Sequence, residues 1–189
     1  MKKTLMMLLV AMLALGAMTA ALAEAEMAEG ADSDWYMQIL SDEAVLAEYP
    51  YHAFVDVNGN GVPVLLISTT EDSFIGDEDR AVLYLYDQGA PKQVMEIGGQ
   101  GGEVFYANFD EHTLTYYSRL SGEGHIEVYR VADGALELVT RADHYAPGHG
   151  PAGDNAVCLQ DDQEITQEAC DALWAAYATD NAITYAAME

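Results

Sequence analysis

Three oxygen-bearing side chains at alternate positions, Asp56, Asn58 and Asn60, followed by Gly61, have the spacing that most directly implies chemistry. Calcium takes several oxygen ligands at about 2.3–2.6 Å, and alternating Asp/Asn with a glycine in sixth place lets a loop curl round one ion. The carbonyl of Val62 stands seventh and completes the candidate metal set Asp56, Asn58, Asn60 and Val62. Only Asp56 is formally charged, so a calcium ion held here is held weakly. The same residues also read as an Asx-rich turn closed by its own side-chain hydrogen bonds. Asp77, Glu78 and Asp79 supply further charge in the next loop, at a distance the sequence does not fix.

Other groupings carry less. His144 and His149 lie near Asp143 and Asp154 in a Gly/Pro-rich stretch. Imidazole and carboxylate suit zinc or copper, but the spacing matches no established motif. Ser68, Ser73, Ser118 and Ser121 sit in no nucleophile-elbow pattern. Carboxylates are so abundant that a glycosidase-like pair can be imagined anywhere, and none is singled out. Gly98-Gly99-Gln100-Gly101-Gly102 lacks the Lys-Ser/Thr of a phosphate loop and reads as a flexible turn. Tyr84, Tyr86, Tyr106, Tyr116, Tyr117 and Tyr129 fall on expected strands; neighbours such as Tyr116 and Tyr117 must face opposite sides of a sheet. Rings beside carboxylates could hold a sugar or peptide, or simply pack across strands. Cys158 and Cys170 allow one disulfide closing a loop of about 13 residues, or are two buried thiols.

These groups must be positioned mainly by strands. Runs of Val, Ile, Leu, Tyr and Phe between turn residues place strands at 52–56, 63–68, 81–86, 93–97, 103–108, 113–119, 125–131 and 136–141. Gln88-Gly89, Asp133-Gly134 and Gly122-Glu123-Gly124 are turn signals. The intervals fit hairpins and leave no room for crossover helices, so the strands form an antiparallel meander. The stretch from Tyr84 through Gly89 to Val94 parallels the stretch from Tyr129 through Gly134 to Val139, so two four-stranded units are expected. Two such units cannot close a propeller, and a single curved sheet follows. A helix over 34–48 starts at Asp32 or Ser33 and ends at Pro50. A last strand is expected at 156–159. A second helix follows, capped by Thr166, with Cys170, Leu173, Trp174 and Tyr177 along one face.

The ends and the charge define the setting. Lys2-Lys3, the apolar run Leu5–Met18 and Ala21-Leu22-Ala23 read as an export signal over 1–23, cleaved before Glu24. A flexible leader covers 24–31, and 32–189 form one domain. From Glu24 onward five bases face 32 acids, a net charge of −27. Such a surface repels nucleic acid and anionic lipid and attracts cations and basic partners.

Asp56-Val57-Asn58-Gly59-Asn60-Gly61-Val62 matches the start of an EF-hand loop, but Ile67 replaces the twelfth-position Glu and the flanks are β-forming. The stretch from Asp56 to Ile67, followed by Val82-Leu83-Tyr84-Leu85-Tyr86, more closely resembles FG-GAP repeats of integrin-type propellers. It is closest to secreted Gram-positive proteins with D-x-N-G-D-G-x-P-E-L blades. The resemblance covers about residues 52–98, echoes over 103–140, and implies a calcium site or its structural remnant. Asn60 and Val64 stand where that pattern has acids.

The expectation is therefore an α+β fold, an antiparallel β-meander flanked by an N-terminal and a C-terminal helix. The expected function is that of a secreted, non-catalytic binding module for a protein or glycan, with one weak calcium ion, no nucleic-acid partner and no membrane span after cleavage. The alternatives are a carboxylate-dependent extracellular hydrolase of glycan or cell wall and an accessory subunit of a cell-surface assembly.

Overall fold

Val64-Leu65-Leu66-Ile67 shows no polar–apolar alternation, so this strand must be covered on both faces. In the computed structural model, which describes residues 33–99, 101–178 and 181–188, it is β2 (Val64–Ser68), with all five residues buried. The stretches read as an export signal and a leader, and Asp32, lie outside the described residues. Beside β2 run β1 (Tyr51–Val55), β3 (Arg80–Asp87) and β4 (Ala90–Gly98), all antiparallel. Val64 and Leu66 face a core shared with the second sheet, while Leu65 and Ile67 face the N-terminal helices.

That helical layer is not the single helix expected over 34–48. A 3₁₀ turn (Ser33–Tyr36) leads into α1 (Met37–Leu40), and α2 (Glu43–Glu48) follows after a break. The Ser41 hydroxyl donates to the Met37 carbonyl, and the Asp42 carboxylate accepts from the Ala44 and Val45 N–H groups. One residue closes a helix and the next caps another, so the break is local chemistry. Tyr36 anchors the layer: it is fully buried and donates to the Pro63 carbonyl at 2.6 Å.

The second sheet comprises β5 (Glu103–Asn108), β6 (Thr113–Leu120), β7 (Glu123–Ala132), β8 (Ala135–Tyr145), β9 (Val157–Gln160) and β10 (Gln163–Ile165). β11 (Ala186–Ala187) joins the first sheet beside β1. The chain is thus the expected α+β antiparallel meander, but its sheets hold five strands (β11-β1-β2-β3-β4) and six (β10 to β5) where two units of four were expected. It is divided into two sheets where one curved sheet was expected. The apolar inner faces explain the division, because Phe105, Ala107 and Leu114 of the second sheet bury against Val64, Leu66 and Leu83 of the first. The β4–β5 link turns through Gly98 and Gly102 at positive φ. A Cβ at Gly102 would lie 2.6 Å from the Arg119 carbonyl.

The internal repeat is visible in the backbone. The β3–β4 and β7–β8 hairpins each carry a bulge, with Val94 of β4 and Val139 of β8, 45 residues apart, as the extra residues. Each hairpin has a two-residue turn with both φ values positive, Gln88-Gly89 (48° and 93°) and Asp133-Gly134 (47° and 70°). Ser121-Gly122 and Asp161-Asp162 are turns of the same kind. The turn expected at Gly122–Gly124 therefore lies one residue earlier, and β7 begins at Glu123. The all-acidic Asp161-Asp162 turn had no glycine to announce it.

Free edges are managed. The outer edge of β5 is paired with Ile75 and with Asn181–Ile183. β4 carries Pro91, Lys92 and a bulge, features that discourage strand addition. On the second sheet's outer face lies α3 (Gln167–Tyr177), whose Thr166 cap accepts from Ala169 N–H as expected. Cys158 in β9 and Cys170 in α3 form a disulfide with Cα atoms 6.1 Å apart. Of the expected apolar stripe only Cys170 is fully buried; Leu173, Trp174 and Tyr177 are partly covered.

Candidate functional site

The Asp56 loop uses its oxygens on itself. One Asp56 carboxylate oxygen accepts from Asn60 N–H at 3.1 Å and the other from Gly61 N–H at 2.8 Å. Asn60 Oδ1 accepts from Val62 N–H at 2.9 Å. Asn58 donates its amide to the Val131 carbonyl in β7 at 2.9 Å, and His112 Nδ1–H donates to the Val57 carbonyl at 3.0 Å. Gly59 and Gly61 take positive φ, so this is a tight Asx turn tied to the second sheet at two points. With one carboxylate whose two oxygens both have donors, the set fits a self-closed corner better than a calcium loop.

Of the other acids suggested for this loop, Asp77 lies against Gly101 and Asp79 stays in its own turn. Asp79 accepts from Gly76 N–H at 3.2 Å and from the Thr69 hydroxyl. Asp143 and His144 point to opposite faces of β8; His144 meets the Trp174 ring edge-on, and His149 sits over Gly122. Among the described residues no three or more His, Cys, Asp or Glu are grouped so as to hold a metal. Tyr116 and Tyr117 do face opposite sides, Tyr116 toward Phe105 and Tyr117 toward Tyr106.

The most organised polar chemistry lies on the inner face of the second sheet, where the apolar contact with the first gives way. The pairing register sets Glu103, Ser118, His125 and Asp143 in one row across β5, β6, β7 and β8. The next row is Phe105, Tyr116, Glu127 and Arg141. His125 is bracketed: Nδ1 lies 2.6 Å from Asp143 Oδ1, and Nε2 lies 3.3 Å from Glu127 Oε1. Tyr129 donates to the other oxygen of Glu127, and Tyr116 donates to Glu103 Oε1 at 2.5 Å. Arg141 pairs with Asp162 in the β9–β10 turn.

Electrostatics follow from this packing. The hydrogen bond to Glu127 raises the His125 pKa above its ordinary value, partial burial opposes the rise, and Asp143 adds to it. Glu127 is lowered, chiefly by its bond to His125. Burial, and then the bond to a carboxylate, push the Tyr116 and Tyr129 phenols well up. His125, Glu127 and Asp143 side chains are 30%, 25% and 23% exposed, so the network is accessible from solvent yet partly desolvated.

Neither metal-ligand spacing nor a nucleophile motif marks this network in the sequence. Its signal is period two: His125-x-Glu127-x-Tyr129 on one strand and Arg141-x-Asp143 on the next. A shallow groove of about 370 Å³ lies nearby, lined by Phe74, Asp77, Arg119, Leu120 and Ser121 over Gly101-Gly102. Among the described residues no helix is long and apolar enough to cross a membrane. No protein-family model matches the chain, and neither a curated protein nor a solved structure does so.

Proposed function

We propose that the chain is an exported, acidic binding module that holds a protein or glycan target without transforming it. Its contact surface is the Tyr/His/carboxylate face of β6, β7 and β8. One observation carries the reading: the reactive groups of that face are bonded to one another. Glycoside hydrolysis by a carboxylate pair needs the two acids to face each other across the sugar. Here the His125 ring fills the space between Glu127 and Asp143, and Tyr129 takes the second Glu127 oxygen. Such a network presents fixed donors, acceptors and ring edges, which suits recognition.

Export is supported by the N-terminal Lys2-Lys3, Leu5–Met18 and Ala21-Leu22-Ala23 pattern and by the disulfide. The likeness of the Asp56 corner to secreted blade proteins points the same way. Calcium stands outside the working part of the proposal. An ion there must displace the N–H groups of Asn60, Gly61 and Val62 to reach three of the loop's oxygens, so its binding is weak.

The test is capture and turnover together. Labelled mature protein is incubated with cell-wall polysaccharide and with secreted proteins of the source, beside a Glu127→Ala/Tyr129→Ala variant. The expected result is retention of a target by the wild type, none by the variant, and no cleavage product. Release of reducing sugar or peptide fragments refutes the non-catalytic reading. Equal retention by the variant refutes the assignment of the face.

A further inference from the structure

We infer that the face around His125 is a cation site, selective for an N–H-bearing group such as the guanidinium of a basic peptide, and that ligand and proton compete for it. The inference rests on the binding-module reading and names the ligand class for that face.

Charge gives the first argument. From β7, Glu127 and Tyr129 face His125; from β6, Tyr116 faces it; from β8, Asp143 and Arg141 do, with Tyr145 next to Asp143. β5 adds Glu103, and the β9–β10 turn adds Asp162 opposite Arg141. Formally this is four carboxylates against one arginine, a surplus of three negative charges when His125 is neutral and two when it is charged. The imidazolium is thus a resident counter-ion for Glu127 and Asp143.

The second argument is independent of the charge count. Glu103 is only 4% exposed, and its Oε2 is buried with no hydrogen-bond partner among the described residues, whereas Oε1 accepts from Tyr116. Leaving a buried carboxylate oxygen without a donor is costly, because its hydration is lost and nothing replaces it. Glu103 stands in the same cross-strand row as Ser118, His125 and Asp143, so a donor delivered to this face can serve it. A guanidinium carries several N–H donors in a planar fork suited to carboxylates. A quaternary ammonium has charge but no donor.

Competition follows from the geometry. With His125 charged, both flanking carboxylates already have a cation within 2.6–3.3 Å. When the proton leaves, Glu127 and Asp143 keep their charge and lose the counter-ion, and an external cation gains what the proton gave up. The raised His125 pKa places this exchange above the pH of an ordinary histidine.

The experiment titrates the full mature chain with N-acetyl-arginine amide, a single guanidinium that does not titrate between pH 5 and 9. Tetramethylammonium is the donor-free control. Affinity is expected to rise about tenfold from pH 5.5 to 8.5. Binding near neutral pH should release protons, read as a dependence of the calorimetric heat on buffer ionisation enthalpy. His125→Gln should bind with no pH dependence. Glu127→Gln should lose most of the affinity, and Glu43→Gln, remote on α2, should lose none. The wild-type pH profile and proton release stand even if a variant fails to fold. Flat affinity across the range, no proton release, or equal weakening by Glu43→Gln overturns the inference. If the probe fails while a native target is still lost on Glu127→Ala/Tyr129→Ala, the ligand class is wrong and the binding face stands. If both fail, so does the face.

Discussion

Breaking the Cys158–Cys170 disulfide tests how the outer face of the second sheet is held. The bond closes 13 residues, from β9 through the Asp161-Asp162 turn and β10 into α3. Loop-closure entropy for that length is roughly 10 cal/mol/K, or about 3 kcal/mol at 25 °C. Little else secures α3, because Cys170 is its one fully buried residue. The Ala/Ala double variant, or the wild type in reductant, should therefore lose about 3 kcal/mol. At a urea slope of roughly 2 kcal/mol/M this moves the midpoint down by about 1.5 M. Trp174 lies in α3 against His144 and Gly124, whereas Trp35 lies at the opposite end against Tyr86. With Trp35→Phe, fluorescence reports α3 alone, and amide exchange at Leu173 and Trp174 reports local opening. A midpoint shift under about 0.3 M, with unchanged exchange in α3, refutes the claim that the covalent link holds the helix.

Further outcomes follow from single contacts. His125 has a raised folded pKa, so its contribution to stability is present below about pH 6.5, its unfolded value, and fades as pH rises through the folded value. Glu127, lowered, adds stability above about pH 4.3 that is lost as pH falls through its folded value. Thermal melts of His125→Gln should thus fall well below wild type at pH 5.5 and converge with it by pH 9; a constant gap contradicts the linkage. Gly134→Ala places a Cβ 2.5 Å from Asp87 Cβ at a φ of 70°, whereas Gly59→Ala at 62° meets nothing within 4 Å. The first should cost clearly more than the roughly 1 kcal/mol of backbone strain expected at the second, as urea melts will show. Leu66→Ala empties the shared core and should cost about 2–5 kcal/mol by the same assay. Calcium at a concentration near its dissociation constant stabilises by only about 0.4 kcal/mol, so millimolar calcium should raise Tm by no more than about 1–2 °C. Asp56→Ala should abolish any such rise.

Much of the architecture was legible because it is local. The turn pairs Gln88-Gly89 and Asp133-Gly134, the Thr166 cap and the β-rich runs each depend on a few neighbouring residues. The unbroken apolar run of β2 already demanded cover on two sides. The short strands β10 and β11 were missed because three- and two-residue pairings leave no periodic signal. The break at Ser41-Asp42 was written in capping residues but hidden under a continuous apolar stripe. The Asp56 loop lies, as expected, as a turn between two strands. The hydrogen bonds of Asp56 and Asn58 to Asn60, Gly61 and Val131 depend on how the loop closes and where β7 lies.

By itself, the sequence determined the meander, its strands β1 to β8, the acid excess and the pair of cysteines. These follow from backbone preferences and composition, which act over a few residues or over the whole chain at once. Tertiary structure alone decided the division into two sheets and the row Glu103–Ser118–His125–Asp143. The reason is register: four residues spread over 41 positions meet only when three hairpins pair in one alignment, and slipping any strand by one residue turns its side chain to the other face.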